Sequence, residues 1–166
     1  MMQKENGFTI YELLVVIGII AISSAIAMPN LISWREQAKI RGAVNNLKGD
    51  LQLAKLRALR ENALVVVLFT ANGYTIFSDN GVSAGDWNLD ADEELIRNRQ
   101  LPAGININLP MTFDPPNNRT RFNSRGFPDP ATLAGPGSTG AVTIQNANGN
   151  QGQITINRLG RINDSQ

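Results

Sequence analysis

The stretch Phe8–Met28, FTIYELLVVIGIIAISSAIAM, is almost continuously apolar, and this property limits which folds the chain can adopt. As a helix it would span roughly 32 Å, close to the ~30 Å hydrocarbon core of a bilayer. Its only charged residue is Glu12. An acid inside a membrane span costs on the order of 2.5–3.5 kcal/mol, and a simple anchor gains nothing from that cost. The sequence therefore predicts a membrane span in which Glu12 has a partner or a purpose.

Length and hydropathy leave two ordinary interpretations of this span. A secretory signal peptide would use Lys4 as its basic residue and Ala25-Ile26-Ala27 as its cleavage site, although the apolar run is long for that role and Glu5 offsets Lys4. A plain single-span anchor explains the length but does not explain Glu12.

The residues around the start of the span carry a third interpretation. Lys4–Leu13, KENGFTIYEL, resembles the type IV prepilin signature, in which a short polar leader ends in Gly and is followed by Phe-Thr-x-x-Glu and an apolar helix. The resemblance implies that a prepilin peptidase cleaves between Gly7 and Phe8 and that the new amine of Phe8 is methylated. It also implies that Glu12 neutralises the N-terminal amine of a neighbouring subunit during assembly, which gives the buried acid its partner.

Pro29 follows the span directly and has two interpretations. A proline inside a helix removes a hydrogen bond and kinks or locally melts it, and a proline here resembles the pilin pattern, where it permits unwinding in the filament. The alternative is that Pro29 ends the membrane helix.

Residues 31–62 contain no proline and are dominated by good helix formers, so we expect an amphipathic continuation of the same helix. Its apolar stripe repeats every three or four residues and consists of Val44, Leu47, Leu51, Ala54 and Ala58. The polar residues assigned to its other faces are Lys48, Asp50, Gln52, Lys55 and Arg57. The stripe predicts packing against a sheet.

After residue 62 the period changes to that of strands, with a hairpin signal at Ala71-Asn72-Gly73. The expected strands are Leu64–Thr70, Tyr74–Ser78, Glu94–Gln100, Ile105–Leu109, Thr120–Asn123, Ala141–Gln145 and Gln153–Ile162. One long helix followed by a mostly antiparallel sheet is an α+β roll, which is also the pilin-like fold. The predicted parts are a leader, an assembly helix, an amphipathic continuation and a β-rich head, over residues 1–7, 8–28, 29–62 and 63–166.

The head carries a further resemblance in two short motifs. Phe122-Asn123-Ser124-Arg125-Gly126 and the terminal Gly160-Arg161 are similar to those of minor pseudopilins of the type II secretion H group and of FimT-like minor pilins. The resemblance implies a minor subunit of a pseudopilus or pilus.

Composition excludes several kinds of chemistry. The 166 residues include no cysteine and no histidine, which removes Cys and His nucleophiles, imidazole bases and the usual zinc, haem and iron–sulfur ligands. A phosphate-binding Gly-rich loop and a paired-carboxylate constellation are also missing from the sequence. We therefore expect a protein that is not an enzyme and that uses no cofactor.

An acidic loop between the second and third expected strands is the one candidate for a metal. It contains Asp79, Asp86, Asp90, Asp92, Glu93 and Glu94. Oxygen ligands at such short spacing suit calcium, with Asp86, Asp90 and Asp92 as the candidates. The spacing is not that of an EF-hand, so the sequence favours a solvated loop.

A basic face is the corresponding candidate for nucleic acid. The arginines of the last third are Arg119, Arg121, Arg125, Arg158 and Arg161, and Arg125, Arg158 and Arg161 are the DNA-binding candidates. FimT-like pilins use Gly-Arg-x-Arg for DNA, whereas the residues here are Gly160-Arg161-Ile162-Asn163, followed by Asp164. The net charge of +1 adds no bias, so the sequence favours exposed arginines that aid solubility.

Both tryptophans have structural interpretations: Trp34, just past the span, as an interfacial anchor, and Trp87 as a side chain that packs a loop onto the head. The leading hypothesis is a structural subunit of a type II secretion pseudopilus or type IV pilus, inserted once in the bacterial inner membrane with its head in the periplasm. Its expected partners are other pilin-type subunits, the prepilin peptidase and an inner-membrane assembly platform. The alternative is a pilus-tip subunit that captures DNA or a surface ligand.

Overall fold

A computed structural model describes residues 7–81, 85–114, 117–135, 137 and 139–165, with the backbone alone at positions 29 and 30. The elements in chain order are α1 Ile10–Glu61, β1 Leu64–Thr70, β2 Gly73–Asp79, β3 Glu94–Gln100, β4 Ile105–Ile107, β5 Arg119–Phe122, a 3-10 turn Pro130–Thr132, β6 Thr139–Asn146, β7 Gln151–Asn157 and β8 Ile162–Ser165. The chain divides into two compact units, Met1–Gln37 and Ala38–Gln166, and α1 contributes residues to both. Most of the predicted leader, residues 1–6, lies outside the described residues.

Helix α1 ends where the sequence predicts. Asn62 adopts a left-handed conformation with φ 51°, and the N–H of Ala63 donates to the carbonyl of Ala58 at 3.3 Å. This is the Schellman arrangement, in which a residue with positive φ closes the last helical turn. The helix is continuous through position 29, so the interpretation of Pro29 as the end of the membrane helix is wrong.

The predicted apolar stripe of α1 forms the centre of the core. Its five members, Val44, Leu47, Leu51, Ala54 and Ala58, are all fully buried. They belong to one hydrophobic cluster with inward-facing residues of both sheets. Burying a leucine or valine contributes about 1.5–3 kcal/mol relative to exposure, so this stripe is the main reason that the helix and the sheets fold as one unit.

The first sheet has the strand order β3-β2-β1-β5 and is antiparallel throughout. The predicted hairpin is confirmed, because Thr70 pairs with Gly73 across a turn of Ala71 and Asn72. A Cβ at Gly73 would lie 2.3 Å from the carbonyl oxygen of Arg99, so this position has room only for glycine.

The second sheet has the order β4-β6-β7-β8 and is also antiparallel. The α+β class is therefore confirmed, although the head contains two sheets where the sequence predicted one. Gly140 on β6 leaves the space that the ring of Phe113 occupies, since a Cβ there would lie 2.0 Å from a ring carbon.

The prediction of one strand over Gln153–Ile162 is wrong. The chain turns between Asn157, the last residue of β7, and Ile162, the first of β8. The side-chain oxygen of Asn157 accepts hydrogen bonds from the N–H groups of Leu159 at 3.1 Å and Arg161 at 2.9 Å. An Asn side chain that binds backbone two and four residues later favours a turn over a continuing strand.

Candidate assembly elements

The first candidate element is the start of α1, where Thr9 and Glu12 form a capping box. The N–H of Glu12 donates to Thr9 Oγ1 at 3.3 Å, and the N–H of Thr9 donates to Glu12 Oε2 at 3.4 Å. The two side chains thus satisfy each other's backbone donors at the helix terminus, where a negative charge is also favoured by the helix dipole. The Thr-x-x-Glu spacing is a known signal for this arrangement, and the sequence interpretation had missed it. Glu12 therefore has a partner within its own helix.

Apolar side chains of the unit Met1–Gln37 are exposed along α1. Phe8 is 82% exposed, and residues between Ile10 and Met28 remain largely accessible. Among the described residues, one helix contains a stretch long and apolar enough to cross a membrane, and it is α1. A Cβ at Gly18 would meet no atom within 4 Å, which leaves this position open to close approach by another helix.

The second candidate element is a surface groove of about 480 Å³ on the head, here called the head groove. Its lining residues come from the segment after β5 and from the turn between β7 and β8. They are Asn123, Phe127, Pro128, Pro130, Arg158 and Leu159.

Two glycines with positive φ support the head groove. Gly126 (φ 74°) and Gly160 (φ 69°) meet so closely that a Cβ at Gly160 would lie 2.5 Å from the carbonyl oxygen of Gly126. Lys55 Nζ donates to the carbonyl of Gly160 at 2.9 Å, and a Cβ at Gly126 would lie 3.1 Å from a methyl of Leu59. The resemblance of the head to known families is based on two motifs, Phe122–Gly126 and Gly160-Arg161. Both motifs therefore pack against α1, although they are far apart in the sequence. Lys55, which the sequence assigned to a polar face, is partly buried.

The DNA-binding candidates are found at or near this groove. Arg158 lines it, and Arg125 lies in the same loop as the lining residues Asn123 and Phe127. Both arginines are exposed, and neither side chain has an ion pair or hydrogen bond with a residue that the structure describes. Arg161 is exposed as well, and its Nε donates to Asn163 Oδ1 at 3.2 Å.

The other two arginines of the expected basic face are neutralised. Arg119 pairs with Asp114 at 2.7 Å, and Arg121 pairs with Asp129 at 3.0 Å. Their guanidinium carbons lie 4.8 and 4.0 Å from the centroid of the Trp87 ring. A cation over the face of a tryptophan is attracted by the ring, so these contacts hold the loop onto β5. The predicted role of Trp87 in packing a loop is confirmed, and Arg119 and Arg121 do not contribute to an open basic face.

The acidic loop is less solvated than predicted, because Asp79 and Glu93 are buried. Asp79 Oδ1 accepts from the N–H of Gly85 at 2.6 Å, and the carboxylate of Asp86 accepts from the N–H of Asn88 at 2.8 Å. In the part of the chain that the structure describes, no three acidic side chains are arranged to hold a metal ion. Calcium binding at Asp86, Asp90 and Asp92 stays a prediction.

Asp50 is buried, although the sequence predicts it on a polar face of α1. Its exposed fraction is only 6%. Its Oδ2 accepts from the hydroxyl of Tyr74 at 2.8 Å and from Nε of Arg99 at 2.7 Å, and Arg97 Nε lies 3.6 Å from its Oδ1. Burial, followed by the hydrogen bond to Asp50, raises the pKa of Tyr74 above its ordinary range. The position of Asp50 beside Leu47 and Leu51 in the helical repeat was the available signal.

Comparison with models of known protein families assigns the chain to a family. The model of the family described as type II transport protein GspH matches residues 43–160. The chain belongs to the GspH family. A model of the prokaryotic N-terminal methylation motif also matches residues 2–28, which include Gly7, Phe8 and Glu12. The family resemblance drawn from the sequence is thereby confirmed.

Curated relatives match over short segments. The type IV major pilin protein PilA of Myxococcus xanthus is 44% identical over 45 residues, 27% of this chain and 20% of that protein. The type II secretion system core protein G of Klebsiella pneumoniae is 36% identical over 58 residues, 33% of this chain and 41% of that protein. The chain thus spans less than half the length of these relatives.

Solved structures share the fold of the GspH family member described here. The type IV minor pilin FimU of Pseudomonas aeruginosa superimposes with a TM-score of 0.58 at 17% identity, over 80% of this chain and 92% of FimU. The minor pseudopilin EpsH of the Vibrio cholerae type 2 secretion system gives 0.57 at 11% identity, over 76% and 96%. The predicted pilin-like fold is confirmed, and none of these matches supports the DNA-binding alternative.

Proposed function

We propose that this chain is a minor structural subunit of a filament, with the GspH family match favouring a type II secretion pseudopilus over a type IV pilus. Membership of this family implies assembly with other pilin-type subunits. The observation that carries the proposal is the Thr9–Glu12 cap at the N-terminus of a long helix whose apolar side chains are exposed. Such a helix needs either lipid or the helices of neighbouring subunits around it. The role requires no catalysis by this chain.

Processing between Gly7 and Phe8 would precede assembly. Both residues are exposed, and a Cβ at Gly7 would meet no atom within 4 Å. This exposure supports access by a membrane-bound prepilin peptidase, which would cleave the bond and methylate the amine of Phe8. Before assembly the helix would cross the inner membrane once, with the head in the periplasm, and an inner-membrane platform would then extract the subunit.

Glu12 would have two successive partners in this scheme. In the single chain its carboxylate caps the N-terminus of α1 through Thr9. In the filament it would also neutralise the N-terminal amine of a neighbouring subunit, where both charges are surrounded by apolar helices. Leaving either charge unpaired in such surroundings is costly, so the pairing would select correctly placed subunits. Pro29 would permit local unwinding of α1 during this step, and Gly18 would allow close helix packing.

Two substitutions at Glu12 distinguish its role as a helix cap from its role as a negative charge. Glu12→Leu removes both, whereas Glu12→Gln keeps a side chain that can cap the helix but carries no charge. We expect both variants to reach the membrane normally and neither to enter filaments, as measured by comparing the membrane fraction with sheared filaments. Normal incorporation of Glu12→Gln into filaments would refute the charge pairing. Loss of membrane insertion in both variants would refute the proposal that Glu12 acts only after the chain has entered the membrane.

A further inference from the structure

The exposed large apolar side chains of the unit Ala38–Gln166 are concentrated in one region. Among the residues of this unit that the structure describes, six such side chains are exposed, and four of them are Leu56, Leu59, Phe127 and Leu159. Single exposed apolar side chains are ordinary on a protein surface. Four of them in one region are typical of an interaction surface.

The contacts of these side chains join them into one surface, here called the apolar strip. Phe127 and Leu159 line the head groove. A Cβ at Gly126, the residue before Phe127, would lie 3.1 Å from a methyl of Leu59. Leu56 lies three residues before Leu59 on the same face of α1, and it lines a second concavity of about 370 Å³. The apolar strip therefore extends from the head groove onto α1.

The charge around the apolar strip is uncompensated. Arg158 lines the head groove, Arg60 lines the concavity on α1, and Arg125 precedes Gly126. All three arginines are exposed, and none has an ion pair with a residue that the structure describes. The neighbouring acids Glu61 and Asp129 are already paired with other arginines. Such guanidinium groups beside apolar surface match a partner that supplies carboxylates.

The shape and composition of the surface favour a protein partner. A concave apolar surface is filled by side chains that protrude from a partner, as in the core of a protein interface. A bilayer is instead entered by apolar side chains that protrude from the protein. Single-stranded nucleic acid stacks its bases on aromatic rings, and Phe127 is the single aromatic residue among the four of the strip.

We propose that the apolar strip and its three arginines bind an acidic amphipathic segment of a different pilin-type subunit. The apolar side chains of that segment fill the head groove and the concavity on α1, and its carboxylates face the arginines. This inference rests on the proposed function, because a minor subunit is surrounded by subunits of other kinds. Two copies of the strip do not pair with each other, since their arginines would repel.

Photo-cross-linking tests the contact in the full-length chain. The photoreactive p-benzoylphenylalanine replaces Phe127 in a tagged chain. This chain is co-expressed with a prepilin peptidase and, one at a time, with each of the other prepilin-type subunits encoded in the same genome. We expect irradiation to join the chain to one of these subunits through a peptide that contains Asp or Glu. The absence of any such product, or a product formed only between two copies of this chain, would overturn the proposal.

A matched position and a second substitution test the location of the contact. Leu89 is 43% exposed, close to the 42% of Phe127, and it lines neither concavity. We expect the cross-linker at position 89 to give about tenfold less product, and Leu159→Asp to cause a similar loss with the cross-linker at position 127. Leu159 is 71% exposed, so this variant should keep the urea denaturation curve of the natural chain. Equal yields from positions 127 and 89 would contradict the proposed surface.

Charge reversal tests the role of the arginines. Arg60→Glu and Arg158→Glu are each expected to lower the yield of the mixed product by about fivefold. Replacing an acid in the cross-linked peptide of the partner with lysine should then restore the yield. Arg41→Glu is the matched control, since Arg41 is an exposed arginine of α1 that has no ion pair with a described residue and lines neither concavity. Unchanged yields with Arg60→Glu and Arg158→Glu, or an equal loss with Arg41→Glu, would contradict the pairing.

The inference and the proposed function fail in different ways. If the chain enters filaments but gives no mixed product, the inference alone fails. If the mixed product forms but the chain does not enter filaments, the contact is supported and the proposed function fails.

Two other outcomes would assign the surface to another ligand and overturn the proposal. The first is a product in which the cross-linker at position 127 is joined to phospholipid and to no protein, as measured by mass spectrometry. The second is found by titrating a fluorescent single-stranded oligonucleotide at low salt against the full-length chain in detergent. Binding that Arg158→Glu abolishes, without a mixed cross-link, would assign the surface to nucleic acid.

Discussion

Lys55 Nζ donates a hydrogen bond of 2.9 Å to the main-chain carbonyl of Gly160. The bond joins α1 to the turn between β7 and β8, and the same turn lies against the carbonyl of Gly126. A lysine from the helix and a glycine from each of two distant motifs therefore hold together the two segments that line the head groove. A partly buried carbonyl gains from such a charged donor, because hydrogen bonds to charged groups are stronger than neutral ones.

Replacing Gly160 with alanine should destabilise the head strongly. The new Cβ would be placed 2.5 Å from the carbonyl of Gly126, at a residue whose φ of 69° is already unfavourable for alanine. We expect a loss of about 3 kcal/mol in the free energy of unfolding. The matched control is Gly149→Ala, with a φ of 81° but no atom within 4 Å of the new Cβ, where only the backbone strain of about 1 kcal/mol applies. Equal losses in urea denaturation of the two full-length variants would contradict the packing of the two motifs.

Asp50→Asn should destabilise the same unit by a different route. The amide keeps the shape of the side chain but removes the negative charge that accepts from Tyr74 and Arg99. We expect a loss of about 2 kcal/mol in unfolding free energy, since buried partners of a charged group are left poorly satisfied. Asp86→Asn, at an exposed acid, is the control and should change stability little. Comparable effects in the two variants would show that Asp50 is not part of a buried network.

The phenol of Tyr74 predicts how stability depends on alkaline pH. Burial and the hydrogen bond to Asp50 raise its pKa above the ordinary value of 10.0. The folded state therefore holds this proton more tightly than the unfolded state, and the corresponding stability is fully present below pH 10 and is lost as the pH rises above it. Unfolding free energies measured from about pH 8 to about pH 11 should fall more steeply for the natural chain than for Tyr74→Phe. Parallel curves for the two proteins would contradict the raised pKa.

The features that the sequence predicted well depend on neighbouring residues. The stripe from Val44 to Ala58 needs only a helical repeat, and the hairpin at Ala71-Asn72-Gly73 needs only local turn geometry. The strands Leu64–Thr70 and Glu94–Gln100 have the predicted bounds because each is a short run of strand-forming residues between turn signals.

The Thr9–Glu12 cap was missed although its signal is local, whereas two other missed features depend on residues far apart in the chain. Asp50 is buried because Tyr74 and Arg99, 24 and 49 positions away, supply its partners. Gly160 adopts its positive φ where Gly126 and Lys55 pack against it. The contact between Gly126 and Gly160 has no local signal, which is also why the two head motifs are scattered in the sequence.

Mass spectrometry of the N-terminus, in cells that contain a prepilin peptidase, tests whether this chain is processed as a pilin-type subunit. We expect a mature chain that begins at Phe8 with a methylated amine, and an uncleaved chain in cells without the peptidase. A mature chain that begins at Met28, as a conventional signal peptide would leave, would contradict it.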